Sequence, residues 1–174
     1  MKVIFLDVDG VLNSDYDWYA THGQMVVANN ILGICKTRIK KLKFLADQTD
    51  GVIVLVSTWK NDYDAYIHEV MCGYPKEQLN VYGRYLYQKL RKYGIHIFDT
   101  TITDEYHLLR RGEGIKHWLK RHEGCVQSYV ILDDELFDYV STGLMVRVVH
   151  TSSSVGLQDQ DIDKAIQILN TPLQ

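Results

Sequence analysis

The chain has 174 residues, of which 46% are hydrophobic, and its 19 basic and 22 acidic side chains give a formal net charge of -3. This composition argues against a disordered chain and predicts one folded domain, residues 1–174, with a substantial core. The charge does not predict a strong nucleic-acid binder, although it is compatible with a local basic face, and no apolar run is long enough to span a bilayer. We expect no signal peptide, and the widely spaced cysteines, which lack a metal-binding spacing, predict reduced thiols in a cytoplasmic protein.

Five short apolar runs, rich in valine and isoleucine, alternate along the chain with segments of helical periodicity. Most of these runs lack polar alternation, which is typical of strands buried on both faces of a parallel sheet. They are Lys2–Leu6, Val52–Val56, Ile95–Phe98, Tyr129–Leu132 and Val146–Val149.

Helices are predicted between and after these strands. The candidates are Arg38–Ala46, Tyr63–Met71, Lys76–Tyr93, Ile115–His122 and Asp159–Leu169. Strands and helices that alternate at these distances predict a three-layer, Rossmann-like α/β fold with a mostly parallel five-stranded sheet. Residues 13–34 form an irregular excursion that contains Tyr16, Trp18 and Tyr19, and this segment is either a small flap or an ordinary loop packed on the domain.

Polar side chains follow three of the predicted strands. Asp7 and Asp9 come directly after the first, Ser57 and Thr58 end the second, and the pair Asp133–Asp134 ends the fourth. Like charges this close are costly unless a cation neutralises them, and hard divalent cations prefer oxygen ligands. Parallel strands would bring all these side chains to one edge of the sheet, where open α/β folds bind their ligands.

This set of side chains fits phosphoryl transfer. A carboxylate can attack phosphorus to give an acyl phosphate, and a second acid can protonate the leaving oxygen and later activate water. A hydroxyl and backbone amides can hold the phosphoryl oxygens, while a basic side chain and Mg²⁺ offset their charge. The sequence therefore favours a metal-dependent phosphoryl-transfer site.

Three segments look like motifs of the haloacid dehalogenase (HAD) superfamily. The segment Asp7–Asn13 resembles the first motif, DxD after a hydrophobic strand, and Val54–Thr58 resembles the second, a strand that ends in Ser or Thr. The segment Val130–Asp134 resembles the fourth motif, a strand that ends in paired acids. A closer resemblance, to the phosphatase domain of RNA-repair and polynucleotide-end-healing proteins, is carried by DGVLN, STWK, Arg111–Glu113 leading into Trp118–Leu119, and ILDD.

The resemblance implies a role for each residue of the first two motifs. Asp7 would be the nucleophile and a metal ligand. Asp9 would be the general acid/base, and its backbone carbonyl would bind the metal. Ser57 would bind the phosphoryl group, helped by the backbone amide of Thr58.

The acidic pair after the fourth strand would complete the metal site. Asp134 would be the direct ligand, whereas Asp133 would orient a metal-bound water or hold the loop. Asp138, in the same acidic stretch, is a weaker alternative ligand.

The third motif requires a lysine or an arginine, and Arg110, Arg111 and Lys116 all compete for this role. The apolar stripe of the predicted helix, projected back by one turn, places Arg111 inward and Arg110 away from the core. Lys116 lies on the flank, deeper by roughly 5 Å. We favour Arg111 and keep Lys116 as an alternative.

The intervals between the motifs are too short for a large cap domain, which predicts an open site. An open site suits a phosphate at the end of a macromolecule. We therefore expect a Mg²⁺-dependent phosphatase that acts on a nucleic-acid end or a nucleotide, with no membrane partner. The alternatives are a phosphatase of small metabolites and a non-catalytic binding module, which is disfavoured because both Asp7 and Asp9 are present.

Overall fold

The computed structural model describes residues 1–21, 32–73, 81–101 and 110–173, and these form an α/β fold around one five-stranded sheet. All strand pairs are parallel, and the strand order is β3-β2-β1-β4-β5. The strands are β1 (Lys2–Leu6), β2 (Gly51–Leu55), β3 (Ile97–Thr100), β4 (Ser128–Asp133) and β5 (Val148–His150).

Six α-helices are present in the described part of the chain. They are α1 (Asp15–Ala20), α2 (Lys36–Thr49), α3 (Lys60–Met71), α4 (Val81–Lys92), α5 (Arg111–Arg121) and α6 (Asp159–Leu169). The connections from β1 to β2, from β2 to β3 and from β3 to β4 contain α-helices, as the alternation of apolar runs and helical patterns predicts, whereas the connection from β4 to β5 contains only a 3₁₀ turn.

Side chains of β1 alternate between the two faces of the sheet, and each face is covered. Ile4 and Leu6 belong to the core shared with α2, α3, α4 and α6, whereas Val3 and Phe5 belong to the core shared with α5. Because both faces are buried, β1 has no polar alternation. The predicted three-layer fold with a parallel sheet is therefore confirmed.

Two strands lie later in the sequence than predicted. Ile95 does not begin β3, because its backbone N–H donates to the carbonyl of Leu90 and closes the end of α4. Val146 lies in a 3₁₀ turn, Met145–Arg147, and its side chain is 81% exposed. Apolar residues at a helix end or in an exposed turn carry the same sequence signal as the first residue of a strand.

The segment predicted to be irregular contains the short helix α1. Ser14 caps it, since the Ser14 hydroxyl accepts a hydrogen bond from the backbone N–H of Asp17. Asp17 also forms a buried ion pair with Arg38 of α2, with the charged atoms 2.5 Å apart. The rest of the predicted flap, residues 22–31, lies outside the described residues.

The described residues contain no second sheet and no evident cap domain, in agreement with the spacing of the motifs. None of the described helices has the length and apolar character required to cross a membrane. Cys35, Cys72 and Cys125 are all unpaired.

Candidate active site

The carboxyl edge of the sheet brings the predicted acidic residues together. Asp7 follows β1, the central strand, and its backbone N–H donates to the carbonyl of Leu132 at the end of β4, at 3.0 Å. Carboxylate oxygens of Asp7, Asp133 and Asp134 all lie within 4.8 Å of one another. Residues more than 120 positions apart in the sequence are thus neighbours, as parallel strand order requires.

The Asp7 carboxylate is buried and only half satisfied. Its Oδ2 atom lies 3.0 Å from Nη1 of Arg111, whereas its buried Oδ1 atom has no hydrogen-bond partner among the described residues. Burial raises the pKa of Asp7 to about 7, a shift that Arg111 and the Ser57 side chain oppose and the charge of Asp133 increases. An unpaired buried oxygen is expensive, and it is expected where a ligand completes the site.

Asp133 has the opposite character, because both of its oxygens have protein donors. Its Oδ2 atom accepts hydrogen bonds from Arg111 Nη1 at 2.8 Å and from the Tyr139 hydroxyl at 2.7 Å. Its Oδ1 atom accepts from the backbone N–H of Glu135 at 2.9 Å. Asp133 is thus held in place by protein groups.

Asp134 is half-buried and lies against the loop that follows β1. Burial and the charge of Asp133 raise the pKa of Asp134 to about 6. A Cβ atom on Gly10 would lie only 2.1 Å from Cγ of Asp134, and Gly10 has a φ of +64°. Only glycine therefore allows this carboxylate to approach the loop so closely.

The donor set fits a hard divalent cation such as Mg²⁺. It offers three carboxylates within reach of one another, and one of them has a buried oxygen without a partner. Metals of this class are bound through oxygen ligands, and Mg²⁺ is held by one or two carboxylates. Asp7 and Asp134 have the carboxylate oxygens that could serve, since those of Asp133 are already used.

Asp9 is exposed and its carboxylate is not part of this cluster. Its Oδ1 atom accepts a hydrogen bond from the Asn13 side-chain amide, and its Oδ2 atom accepts one from the indole N–H of Trp59, each at 2.9 Å. Asn13 also accepts from the backbone N–H of Gly10, at 3.0 Å. Sequence reasoning assigned no role to Asn13 or Trp59, although both lie inside the quoted motifs DGVLN and STWK.

A cleft of about 350 Å³ opens beside Asp9. Its lining combines carboxylates, a hydroxyl and aromatic rings: Asp9, Leu32, Thr58, Trp59, Asp62 and Tyr82. The Trp59 and Tyr82 rings meet edge to face, with centroids 6.0 Å apart. The cleft therefore has room for a molecular group next to an exposed carboxylate.

Ser57 and Thr58 occupy different positions at the end of β2. Ser57 is fully buried, and its side chain acts to lower the pKa of Asp7. Thr58 is exposed and lines the cleft. The two residues thus lie on either side of the boundary between the buried carboxylate and solvent.

Arg111, the favoured candidate for the third motif, reaches the acidic cluster. Its guanidinium bridges Asp7 and Asp133 and lies over the ring of Phe137, 4.2 Å from the ring centroid. Burial tends to lower the pKa of Arg111, but the charges and hydrogen bonds of Asp7 and Asp133 raise it by more. The guanidinium therefore stays charged. Arg110 and Lys116 are both exposed.

Asp138, the weaker alternative metal ligand, lies instead at the start of α5. Its two carboxylate oxygens accept hydrogen bonds from the backbone N–H groups of Gly112 and Glu113, at 2.6 and 3.1 Å. These N–H groups have no partner within the helix, so Asp138 acts as a cap supplied by another segment. That contact fixes the beginning of the helix that carries Arg111.

One comparison with known proteins finds a match. The model of a family described as the HAD domain in Swiss Army Knife RNA repair proteins matches residues 3–162. No curated protein and no solved structure matches the chain.

Proposed function

Because the chain belongs to the family of HAD domains in Swiss Army Knife RNA repair proteins, we propose that it is a Mg²⁺-dependent phosphatase with Asp7 as its nucleophile. The family suggests a phosphatase-type hydrolase. The observation that carries the proposal is the buried Asp7 carboxylate, which has one oxygen on Arg111 and the other without a partner. Such a carboxylate is positioned and available for reaction.

In the first step, an Asp7 carboxylate oxygen attacks phosphorus and the bond to the leaving oxygen breaks. Asp9 donates a proton to that oxygen, and Asp7 then carries an acyl phosphate. In the second step, Asp9 takes a proton from water, which attacks phosphorus and displaces the Asp7 carboxylate. The hydrogen bonds from Asn13 and Trp59 support this role because they fix the direction of the Asp9 carboxylate.

Asp7, Asp134 and the backbone carbonyl of Asp9 would hold the Mg²⁺ ion. When bound, the ion neutralises charge on the carboxylate and on the phosphoryl oxygens. Asp133 would keep the loop and Arg111 in position, consistent with its three protein donors. This division of roles between neighbouring acids follows from which oxygens already have partners.

Ser57 and the backbone amide of Thr58 would bind phosphoryl oxygens. Arg111 would offset their charge, and Lys116 remains the alternative for this role. The contacts of Arg111 with Asp7 and Asp133, compared with the exposed position of Lys116, support the arginine.

The substrate that we propose is a phosphate at a nucleic-acid end or on a nucleotide. The family to which the chain belongs supports this choice, as does the cleft beside Asp9, whose aromatic rings suit a base or a sugar. An open site can admit the end of a long chain. A small metabolite would be the substrate if sugar phosphates were hydrolysed faster than nucleic-acid ends.

A substrate panel tests the proposal. We expect Mg²⁺-dependent release of phosphate from a phosphorylated oligonucleotide or nucleotide, faster than from a set of sugar phosphates, and its loss on chelation. Asp7→Asn is the control and should reduce release to background. If wild type and Asp7→Asn release phosphate equally from every substrate, the protein is not this enzyme.

A further inference from the structure

Lys60 is a buried lysine close to the acidic cluster, and the motifs gave it no role. It is the first residue of α3, three positions after Ser57, and only 4% of it is exposed. Its Nζ donates a hydrogen bond to the hydroxyl of Thr101, at 3.0 Å. Thr101 is held by its own N–H, which donates to the carbonyl of Leu55 at the end of β2. The ammonium group is therefore fixed at the carboxyl edge of the sheet.

This position is unfavourable for a lysine in the protein alone. Lysine is almost never fully buried without an ionic partner, yet no carboxylate of the described residues lies within ion-pair distance of Lys60. Its pKa is lowered to about 8, chiefly by burial and also by the charge of Arg111, whereas Asp64 and Asp7 act in the opposite direction. The ammonium has three donors, and Thr101 accepts only one of them.

The charges of the site favour a further phosphate-binding cation beside Arg111 and the Mg²⁺ ion. Arg111 already binds both Asp7 and Asp133, so these carboxylates share its charge with any bound phosphoryl group. A phosphoryl group that approaches Asp7 adds about two negative charges at neutral pH. Among the described residues, Lys60 is the buried cation that senses the charge of Asp7 without being paired to a carboxylate.

We propose that Lys60 binds the phosphoryl group, donating a hydrogen bond to a phosphoryl oxygen while Thr101 holds the other side of the ammonium. This inference rests on the proposed function and adds a second phosphate-binding cation to Arg111. A bound dianion removes the mismatch at Lys60, because it supplies an acceptor and an opposite charge that the described residues do not provide. Lys60 is then a catalytic residue, since it touches the reacting group.

A purely structural lysine would behave differently on substitution. If Lys60 stabilised the fold through its charge, Lys60→Met would lower the melting temperature. If its ammonium is held for a ligand, a methionine of similar length should leave the melting temperature unchanged or raise it, because an unpaired buried charge is removed. Lys120→Met is the matched control, since Lys120 is exposed on α5.

The test measures binding of inorganic phosphate to Mg²⁺-loaded protein by calorimetry, together with thermal melting and hydrolysis of 4-nitrophenyl phosphate. We expect phosphate to bind Lys60→Met roughly 10- to 100-fold more weakly than wild type, which is the range for a hydrogen bond to a charged group. Turnover of 4-nitrophenyl phosphate by Lys60→Met should fall as well, while the melting temperature of this variant should not be lower than that of wild type. Lys120→Met should match wild type in all three measurements.

Each outcome separates this inference from the proposed function. If wild type neither binds phosphate nor hydrolyses the aryl phosphate, the proposed function fails. If wild type does both and Lys60→Met binds phosphate with unchanged affinity, the role of Lys60 is refuted while the phosphatase stands. Lys60→Gln provides a second uncharged side chain should the methionine variant not fold, and the same loss of affinity is expected.

Discussion

Asp7 and Asp133 share Arg111, yet their surroundings give them different chemistry. Asp133 accepts hydrogen bonds on both oxygens, from a guanidinium, a phenol and a backbone amide, so protein groups hold its carboxylate in place. Asp7 has the same cation but leaves Oδ1 without a described partner. Sequence alone predicted that the two acids lie at one edge of the sheet, but the partners of each oxygen are what support our proposal that Asp7 reacts and Asp133 holds the loop.

Trp59 offers a test of how Asp9 is positioned. Trp59→Phe removes the indole N–H that binds Asp9 Oδ2, so proton transfer to the leaving oxygen should become less efficient. We expect turnover of an alkyl phosphate, whose leaving group needs a proton, to fall roughly 10-fold or more. Turnover of 4-nitrophenyl phosphate should change much less, because 4-nitrophenolate leaves without a proton.

The control for this substitution is Trp118→Phe, which removes an indole hydrogen bond to Asp99 in another part of the protein. Steady-state kinetics on both substrates should show no difference in selectivity between this control and wild type. An equal loss on both substrates in Trp59→Phe would mean that Trp59 acts on the fold and not on Asp9.

At the scale of elements, the beginning of α5 decides which basic residue reaches the site. The apolar periodicity predicted a helix from Ile115, whereas α5 begins at Arg111. The extra turn depends on Asp138, which binds the backbone N–H groups of Gly112 and Glu113 from 25 or more residues away. Local sequence patterns cannot predict a cap that comes from a distant segment. The apolar stripe of the helix nevertheless predicted the inward position that Arg111 has beside Asp7 and Asp133.

Substitutions in α5 distinguish its two candidate cations. Arg111→Lys keeps a charge but loses the guanidinium, whose Nη1 atom contacts both Asp7 and Asp133 and which lies over the Phe137 ring. We expect turnover to fall by roughly 10²-fold or more. Lys116→Ala should stay within about 3-fold of wild type, because exposed charges contribute little. Kinetics with 4-nitrophenyl phosphate and a parallel thermal melt measure both. A silent change at Arg111 with a damaged Lys116→Ala would transfer the role to the lysine.

The third strand shows a second limit of local prediction. The apolar run placed its end at Phe98, whereas β3 runs to Thr100, and Thr101 beyond it binds Lys60. The run Ile95–Phe98 carries a strand signal throughout, but Ile95 is used to close α4. Because the predicted strand ends two residues too early, the sequence did not indicate the polar end of β3 or its contact with the buried Lys60.

At the scale of the whole molecule, the fold could be predicted because its strands are buried on both faces. Continuous apolar runs that alternate with helices indicate a parallel sheet, and a parallel sheet places all carboxyl ends at one edge. The positions of Asp7, Ser57 and Asp134 follow from this geometry. Contacts between distant segments, such as Lys60 with Thr101, depend on packing and could not be predicted from the same patterns.

Burial of the cluster predicts how stability changes with pH. The folded-state pKa of Asp7 is about 7, above the ordinary value of 3.8. The group therefore contributes stability that is fully present below about 3.8 and is lost as pH rises through about 7. In metal-free protein, Asp7→Asn lacks this loss, so its melting temperature should exceed that of wild type by an amount that grows from pH 5 to pH 8.

Thermal melts in chelator across this pH range measure that difference. Asp134 and every other titrating group are present in both proteins, so the comparison isolates Asp7 to a first approximation. A difference in melting temperature that is constant or shrinks with rising pH would contradict the account of a carboxylate destabilised by burial.

The most direct measurement asks whether phosphate becomes attached to Asp7. Protein mixed with 4-nitrophenyl phosphate and Mg²⁺ is quenched and treated with borohydride, which converts an acyl phosphate to an alcohol that mass spectrometry locates. Asp9→Asn should accumulate the modification at position 7, because the leaving group needs no proton while hydrolysis of the acyl phosphate needs a base. Asp7→Asn should show no modification at position 7. Turnover by Asp7→Asn at the wild-type rate would contradict the assignment of the nucleophile, and so would modification at another residue.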